Sequence, residues 1–172
     1  MILELLKTQL SWQTKELKRN EFLKMSGTID ANVYFIEEGS VRLFIEDEGE
    51  ERIIRFGYKE NIIVSLDSFL SGKPSEFYIQ AIKTSTVKVA SKKDFYEFIN
   101  SNNENLKLWN SILEDLVLQQ IEREKDLLYS SPKIRYERVL KRSPKLFQEI
   151  PNKYIANYLR MSPETLSRLK KS

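Results

Sequence analysis

The chain of 172 residues has no cysteine and no histidine, and only five glycines and five prolines. Without cysteine it has no disulfide, no thiolate nucleophile and no cysteine-ligated iron–sulfur cluster. Without histidine it lacks the commonest metal ligand and the usual general base near neutral pH. Carboxylates could still hold Mg²⁺ or Ca²⁺, but no calcium-loop spacing occurs. No serine, lysine or carboxylate has a plausible base beside it. An enzyme is therefore not expected, and neither are catalytic residues, a metal site or a cofactor. Long apolar runs are missing too. The opening MILELLKTQLSW is broken by Glu4 and Lys7, and it lacks the apolar stretch and small-residue cleavage site of a signal peptide. No run approaches membrane-spanning length. These absences lead to the expectation of a soluble, cytoplasmic protein with no membrane partner.

Hydrophobic residues make up 41% of the chain, with nine Phe and eight Tyr, enough for one modest domain with a satellite or for two small lobes. Ile2, Leu3, Leu5, Leu6 and Leu10 line one side of an expected short helix. From about Trp12 to Ala90 the texture is that of strands. VYFIEEGSVRLFIEDEGEERIIRFG holds two runs around Glu38-Gly39 and a third after Glu48-Gly49-Glu50, with Gly39 and Gly49 able to take positive φ. Phe77–Ile82 and Thr86–Ala90 are further strand candidates, and many short strands favour a sandwich or jelly roll. Between them, Leu66, Phe69 and Leu70 predict one helical turn, broken at Gly72-Lys73-Pro74. A helix inside a small β-roll has the look of a ligand site or its remnant, or of a loop capping the roll.

After Ala90, KKDFYEFINSN predicts a short helix with Phe95 and Phe98 facing the core. Asn103–Tyr129 has neither Gly nor Pro, and Leu106, Trp109, Leu113, Leu116, Gln120, Arg123 and Leu127 follow a 3,4 spacing, widened by Ile112, Val117, Ile121 and Leu128. A helix of that length exceeds what the roll alone can bury, so a twofold partner is expected along a seam of Leu106, Trp109, Leu113, Leu116, Gln120 and Leu127. Ser131-Pro132 ends this helix and marks the expected hinge between lobes.

Charge is divided sharply at that point. Residues 133–172 hold eleven basic and three acidic side chains, a balance of +8, whereas residues 1–132 carry seventeen and twenty-two, a balance of -5. Within the basic end, Ile150-Pro151 precedes a predicted helix over Asn152–Leu159, and Arg160-Met161 makes a turn. Ser162 can cap the next helix and Pro163 suits its first position. Leu166 and Leu169 anchor it. A basic helical pair of this kind points to double-stranded DNA as partner, with the second helix entering the major groove. Glu164, Thr165 and Arg168 are candidates for base edges, with Ser162 capping their helix, and Lys153, Arg160, Lys170 and Lys171 are candidates for phosphates.

The whole chain resembles the cyclic-nucleotide-receptor/FNR-type (Crp/Fnr) bacterial transcription regulators. VYFIEEGSVRLFIEDEGEERIIRFG is similar to that family's β-roll signature with Gly39 at its turn. Asn103–Tyr129 is similar to its dimer helix, and IPNKYIANYLRMSPETLSRLKKS to its reader motif. The resemblance implies an α+β chain: a double-stranded β-helix (jelly roll) sensor over 1–131 that includes a dimerisation helix over 103–130, then a small helix-turn-helix, winged-helix-like domain over 132–172. It implies a homodimer that binds near-palindromic operators, with RNA polymerase and an unidentified small-molecule effector as open partners.

The departures from the family pattern fall on the ligand cassette. With Gln80-Ala81 aligned, the family's Gly-Glu positions are Val64 and Ser65, and its Arg-Ser-Ala positions are Ser75, Glu76 and Phe77. The carboxylate that would hold ribose and the arginine that would pair with cyclic phosphate are both serines, so cAMP and cGMP are expected to bind poorly or not at all. A retained effector pocket would be bounded by Phe56, Val64, Ser65, Leu66, Phe69, Ser75, Glu76 and Phe77. The usual β wing is reduced to Ser143–Ile150. The chain stops soon after its reader helix, as a naturally short form or a trimmed one. Two alternatives stay open: a true cyclic-nucleotide sensor that holds phosphate through backbone N–H groups and Lys73, and a scaffold that uses its roll to bind protein.

Overall fold

The computed structural model describes residues 10–171. The helix expected over Ile2–Leu6 lies outside the described residues, and Leu10, the last of its stripe, is buried. Eight strands follow: β1 (Gln13–Leu17), β2 (Phe22–Lys24), β3 (Asn32–Glu38), β4 (Ser40–Asp47), β5 (Glu50–Tyr58), β6 (Ile62–Ile63), β7 (Tyr78–Ala81) and β8 (Ser85–Ser91). They form two antiparallel four-stranded sheets in the orders β1-β8-β3-β6 and β2-β7-β4-β5. This is the expected jelly roll.

Strand periodicity decides what fills it. Val41 and Leu43 of β4, with Ile79 and Ala81 of β7, point between the sheets and meet Leu17, Tyr34, Ile36, Ile63 and Val87 from the other. Burying each large aliphatic or aromatic side chain here contributes about 1.5–3 kcal/mol. The alternate residues lie on the opposite face. There Phe44 stacks on Tyr78 with ring centroids 5.0 Å apart, and the Arg42 guanidinium lies 4.4 Å from the Phe44 ring while bonding Gln80 and Glu51.

The β3–β4 connection is a glycine requirement. Gly39 has φ of 90°, and a Cβ there would stand 2.1 Å from the Ser85 Oγ and 2.6 Å from the Ser85 Cα. That closeness lets the Ser85 hydroxyl accept from the Ser40 amide at 3.0 Å, which ties the hairpin to β8.

Helix α1 (Leu66–Ser71) comes after β6 as predicted, and Gly72, in the left-handed conformation, ends it. Helix α2 (Lys92–Asn100) starts where the Ser91 hydroxyl accepts from the Asp94 amide, and it buries Phe95, Phe98 and Ile99. Helix α3 (Asn103–Leu128) has 26 residues, roughly 39 Å at 1.5 Å per residue. Trp109 departs from the expected seam: its indole is buried edge-on against Phe95, with centroids 5.1 Å apart, so its stripe begins inside its own roll. Beyond it Leu113 and Leu116 are half-buried and Gln120 is exposed, whereas Val117 (59%), Leu118 (60%), Ile121 (42%) and Leu128 (84%) are bared, like Leu106 and Leu127.

The chain divides into two compact units at Asn110–Ser111, inside α3 and ahead of the break at Ser131-Pro132. The physical reason is that the last turns of α3 pack with α4 (Pro132–Arg142), through Asp126 on the one and Arg138 and Arg142 on the other. In this second unit, α4 is capped by the Ser131 hydroxyl, and α5 (Leu146–Glu149) is a single short turn. Helices α6 (Asn152–Tyr158) and α7 (Pro163–Lys171) complete it. Val139, Leu146, Ile150, Ile155, Ala156, Leu159 and Leu166 form its core. Among the described residues this unit has no strand, so Ser143–Ile150 is a turn and a short helix where a wing would stand.

Candidate nucleic-acid interface and ligand cassette

The pair α6–α7 is held from inside by Ile155, Ala156, Leu159 and Leu166, none of them exposed. Arg160 sits in the turn at φ of 55°, a left-handed conformation taken here by a non-glycine residue. The Met161 amide then donates to the Ala156 carbonyl at 3.0 Å, closing the turn. Ser162 caps α7 as expected: its hydroxyl accepts from the Thr165 amide at 3.2 Å and lies 3.1 Å from the Thr165 hydroxyl.

With its apolar side sealed, α7 presents Ser162, Glu164, Arg168, Lys170 and Lys171 to solvent, and Thr165 is half-buried. The Glu164 carboxyl is held below the usual range, chiefly by its own backbone amide and then by the Ser162 hydroxyl, so it is ionised and an acceptor. Lys153 is exposed beside the Tyr154 ring, and the Lys170 amine donates to the Asn152 side chain at 2.8 Å, linking the far end of α7 to the start of α6. Arg160 is half-buried and contributes its backbone to the turn. The arrangement offers hydrogen-bonding groups on the first turns of one helix, with cations farther along it and on its partner.

Part of this unit is not legible in the sequence. Asp126 of α3 is fully buried and accepts from Arg138 at 2.8 Å and from Arg142. Arg123 and Arg135 are also buried, and both donate to carbonyls of the reader pair. The available signal was weak: arginines within helix faces that otherwise read as apolar stripes.

In the first unit the cassette is closed by its own hydroxyls. Ser65 and Ser75 are each 1% exposed and their Oγ atoms are 3.1 Å apart. Ser65 also donates to Asp67, and Ser75 accepts from the Phe77 amide at 3.1 Å. Val64, Leu66 and Phe77 are half-buried, and Glu76 is exposed. Two of the expected pocket neighbours also have other packing partners. Phe69 is fully buried against Phe95 and Tyr96 with the Lys92 amine over its ring. Phe56 pairs with Arg42 in the β4–β5 ladder, on the face away from the inter-sheet core.

Two charged residues that the sequence did not single out complete the cassette. The buried Lys24 amine donates to the carbonyls of Met25 (2.9 Å), Ser75 (3.2 Å) and Phe77 (2.7 Å). Burial lowers its pKa, against the pull of Asp30 and Asp67. Burial also raises the pKa of Asp30, opposed by the Tyr34 hydroxyl at 2.9 Å and the Asn32 amide at 3.1 Å. These contacts link loop 25–31 to the cassette, reinforced by the Asp30 amide donating to Ser68 at 2.9 Å. A cleft of about 290 Å³ lies elsewhere, against Trp12, Phe35, Glu37, Glu38, Lys59, Glu60 and Lys88, and none of the cassette serines lines it. Among the described residues no acidic cluster is placed to hold a metal ion, and no helix is long and apolar enough to cross a membrane.

The cyclic nucleotide-binding domain model matches residues 14–102, just over half of the chain. The chain belongs to the cyclic nucleotide-binding domain family. Membership covers the roll, its cassette and α2. No curated protein matches in sequence. Among solved structures, a CooA mutant from Carboxydothermus hydrogenoformans superposes with a TM-score of 0.74 at 15% identity, covering 99% of this chain and 77% of that one. FixK2 from Bradyrhizobium japonicum gives 0.74 at 18% identity, over 94% and 84%. The c-di-GMP responsive global regulator CLP from Xanthomonas campestris gives 0.67 at 13%, over 99% and 89%. At these identities the likeness is one of fold, and it extends beyond the cyclic nucleotide-binding domain through the long helix to the C-terminal helices. The order of elements is the expected one: a jelly roll, a long helix and C-terminal helices.

Proposed function

We propose that this protein is a homodimeric, sequence-specific DNA-binding transcription regulator whose sensor roll does not respond to cAMP or cGMP. The observation that carries the first part is the geometry of α7. Its apolar side is sealed by Leu166 while Glu164, Arg168 and Lys171 stand exposed behind a serine cap. The +8 balance of residues 133–172 supplies the sequence-independent attraction to phosphate. Bared apolar side chains along α3 support a twofold partner, which would place two reader helices on successive turns of the duplex.

The second part rests on Ser65 and Ser75. A cyclic phosphate needs a charge-assisted partner, and here two hydroxyls occupy those positions and bond each other in a buried setting. A different effector, as the name of the c-di-GMP responsive regulator records for that protein, or none, is then the expected mode of control.

Fluorescence anisotropy with the DNA upstream of this protein's own gene, against a scrambled duplex over a salt series, tests the DNA reading. Preference for the upstream duplex is expected, and equal, salt-erased affinity for both would count against it. Calorimetric titration with cAMP and cGMP tests the cassette. No heat beyond dilution is expected, and saturable binding in the low micromolar range would refute it.

A further inference from the structure

The turn between α6 and α7 has to hold its shape for α7 to meet a groove in a fixed orientation, yet its residues are not glycines. Three consecutive carbonyls there, of Tyr158, Leu159 and Arg160, all accept from buried guanidinium groups. Arg135, 8% exposed on the first turn of α4, donates its Nε to Leu159 at 2.8 Å and its Nη2 to Arg160 at 3.0 Å. Arg123, 7% exposed on α3, donates to Tyr158 and stacks on that ring at 3.7 Å.

The remaining side of Arg135 faces the end of α3. Its Nη1 donates to the Tyr129 carbonyl at 2.6 Å and the Ser130 carbonyl at 2.9 Å. One planar group therefore spans two helix termini, the tail of α3 and the tail of α6, where backbone carbonyls carry the negative end of each helix dipole. Alongside it the buried Asp126 of α3 draws in Arg138 and Arg142 of α4. The link Tyr129–Ser131, which runs into the Ser131-Pro132 break that reads from the sequence as a hinge, is fastened on one side by this ion-pair cluster and on the other by Arg135.

We infer that Arg135 is the positioning residue of the reader: it fixes the α6–α7 turn to the end of α3, so that α7 moves with the last turns of α3 as one body. The inference rests on the DNA-reading role proposed above. Arg135 touches no DNA itself, because its donors are engaged inside the unit. A lysine cannot replace it, since an ammonium offers three donors at one point where this site needs a fork that reaches four carbonyls.

Arg135→Lys tests this in the full-length protein, with Arg123→Lys beside it to weaken the same turn from α3. Two readouts separate the clamp from the DNA role. Amide hydrogen exchange reports the turn directly: the Leu159 and Met161 amides, bonded to the Ile155 and Ala156 carbonyls in the native turn, should exchange roughly tenfold faster in R135K. Exchange in residues 10–110 should stay unchanged. Unchanged exchange at Leu159 and Met161 would overturn the clamp whatever DNA does. In the anisotropy assay, R135K should lose roughly tenfold in preference for the upstream over the scrambled duplex while its salt slope stays that of the wild type, because no phosphate contact is removed. A lower salt slope, or an undiminished preference alongside faster exchange, would overturn the positioning role. A wild type that prefers neither duplex would instead count against the DNA reading, and the exchange measurement would still judge the clamp.

Discussion

Gly39 and Gly49 occupy equivalent places at the tips of consecutive hairpins, with φ of 90° and 80°, but only one of them is crowded. An added Cβ at Gly49 meets nothing within 4 Å, whereas at Gly39 it would lie 2.6 Å from the Ser85 Cα as well as 2.1 Å from its hydroxyl. Either alanine costs about 1–2 kcal/mol for the left-handed backbone. At Gly39 the overlap with Ser85 backbone adds about 1–3 kcal/mol of overpacking. Displacing Ser85 also loosens its 3.0 Å bond from the Ser40 amide. G39A should therefore be less stable than G49A by about 1–3 kcal/mol, a downward midpoint difference of roughly 1 M urea at a typical dependence for small domains. Both tryptophans, Trp12 and Trp109, lie in the first unit, so intrinsic fluorescence follows the roll. Equal midpoints for the two variants would show that backbone conformation alone sets the requirement, and the steric reasoning would be wrong.

Three further outcomes rest on particular contacts. Asp126→Asn leaves Arg138 and Arg142 without their shared carboxylate. It should cost about 2–3 kcal/mol, below the figure for a fully buried pair because both arginines reach water, and a calorimetric melt with the transition of the second unit unmoved would refute this. Asp30 is a buried carboxyl with a raised pKa. Its contribution to stability is fully present below the unfolded carboxylate pKa and is lost as pH rises through the folded one, so wild type should gain on D30N as pH falls from neutrality toward about 4; a pH-independent difference in urea midpoints would contradict it. Ile121→Glu puts a charge among the bared apolar side chains of α3, and light scattering should then report a monomer in place of the proposed dimer; a dimeric I121E would move the seam elsewhere.

How much could be read from the sequence depends on where its signals are local. Strands β3, β4 and β5 are alternating runs punctuated by Gly39 and Gly49, and α2, α3, α6 and α7 have caps or unbroken periodicity, so all were legible. Strand β1 was not: four of its five residues are exposed, and its order comes from pairing with β8 some seventy residues later. Strands β2 and β6, of three and two residues, are too short to show a period. In the cassette, Ser65 and Ser75 could be placed by alignment on Gln80-Ala81. Lys24 could not, because the Ser75 and Phe77 carbonyls it meets lie far along the chain, nor could Asp30, whose tie to the cassette is its backbone amide on the distant Ser68. The same holds for Arg135, whose four carbonyls come from residues five to 25 positions away.

The most direct test of the central claim asks the protein itself for its sequence. Selection from a pool of random duplexes with the full chain, followed by sequencing, needs no prior guess at an operator. Enrichment of a twofold-symmetric sequence is expected, with half-sites roughly one helical turn, about 10 base pairs, apart. Retention of duplexes at the composition of the starting pool, at any salt concentration, would contradict it and leave α7 a basic surface without a code.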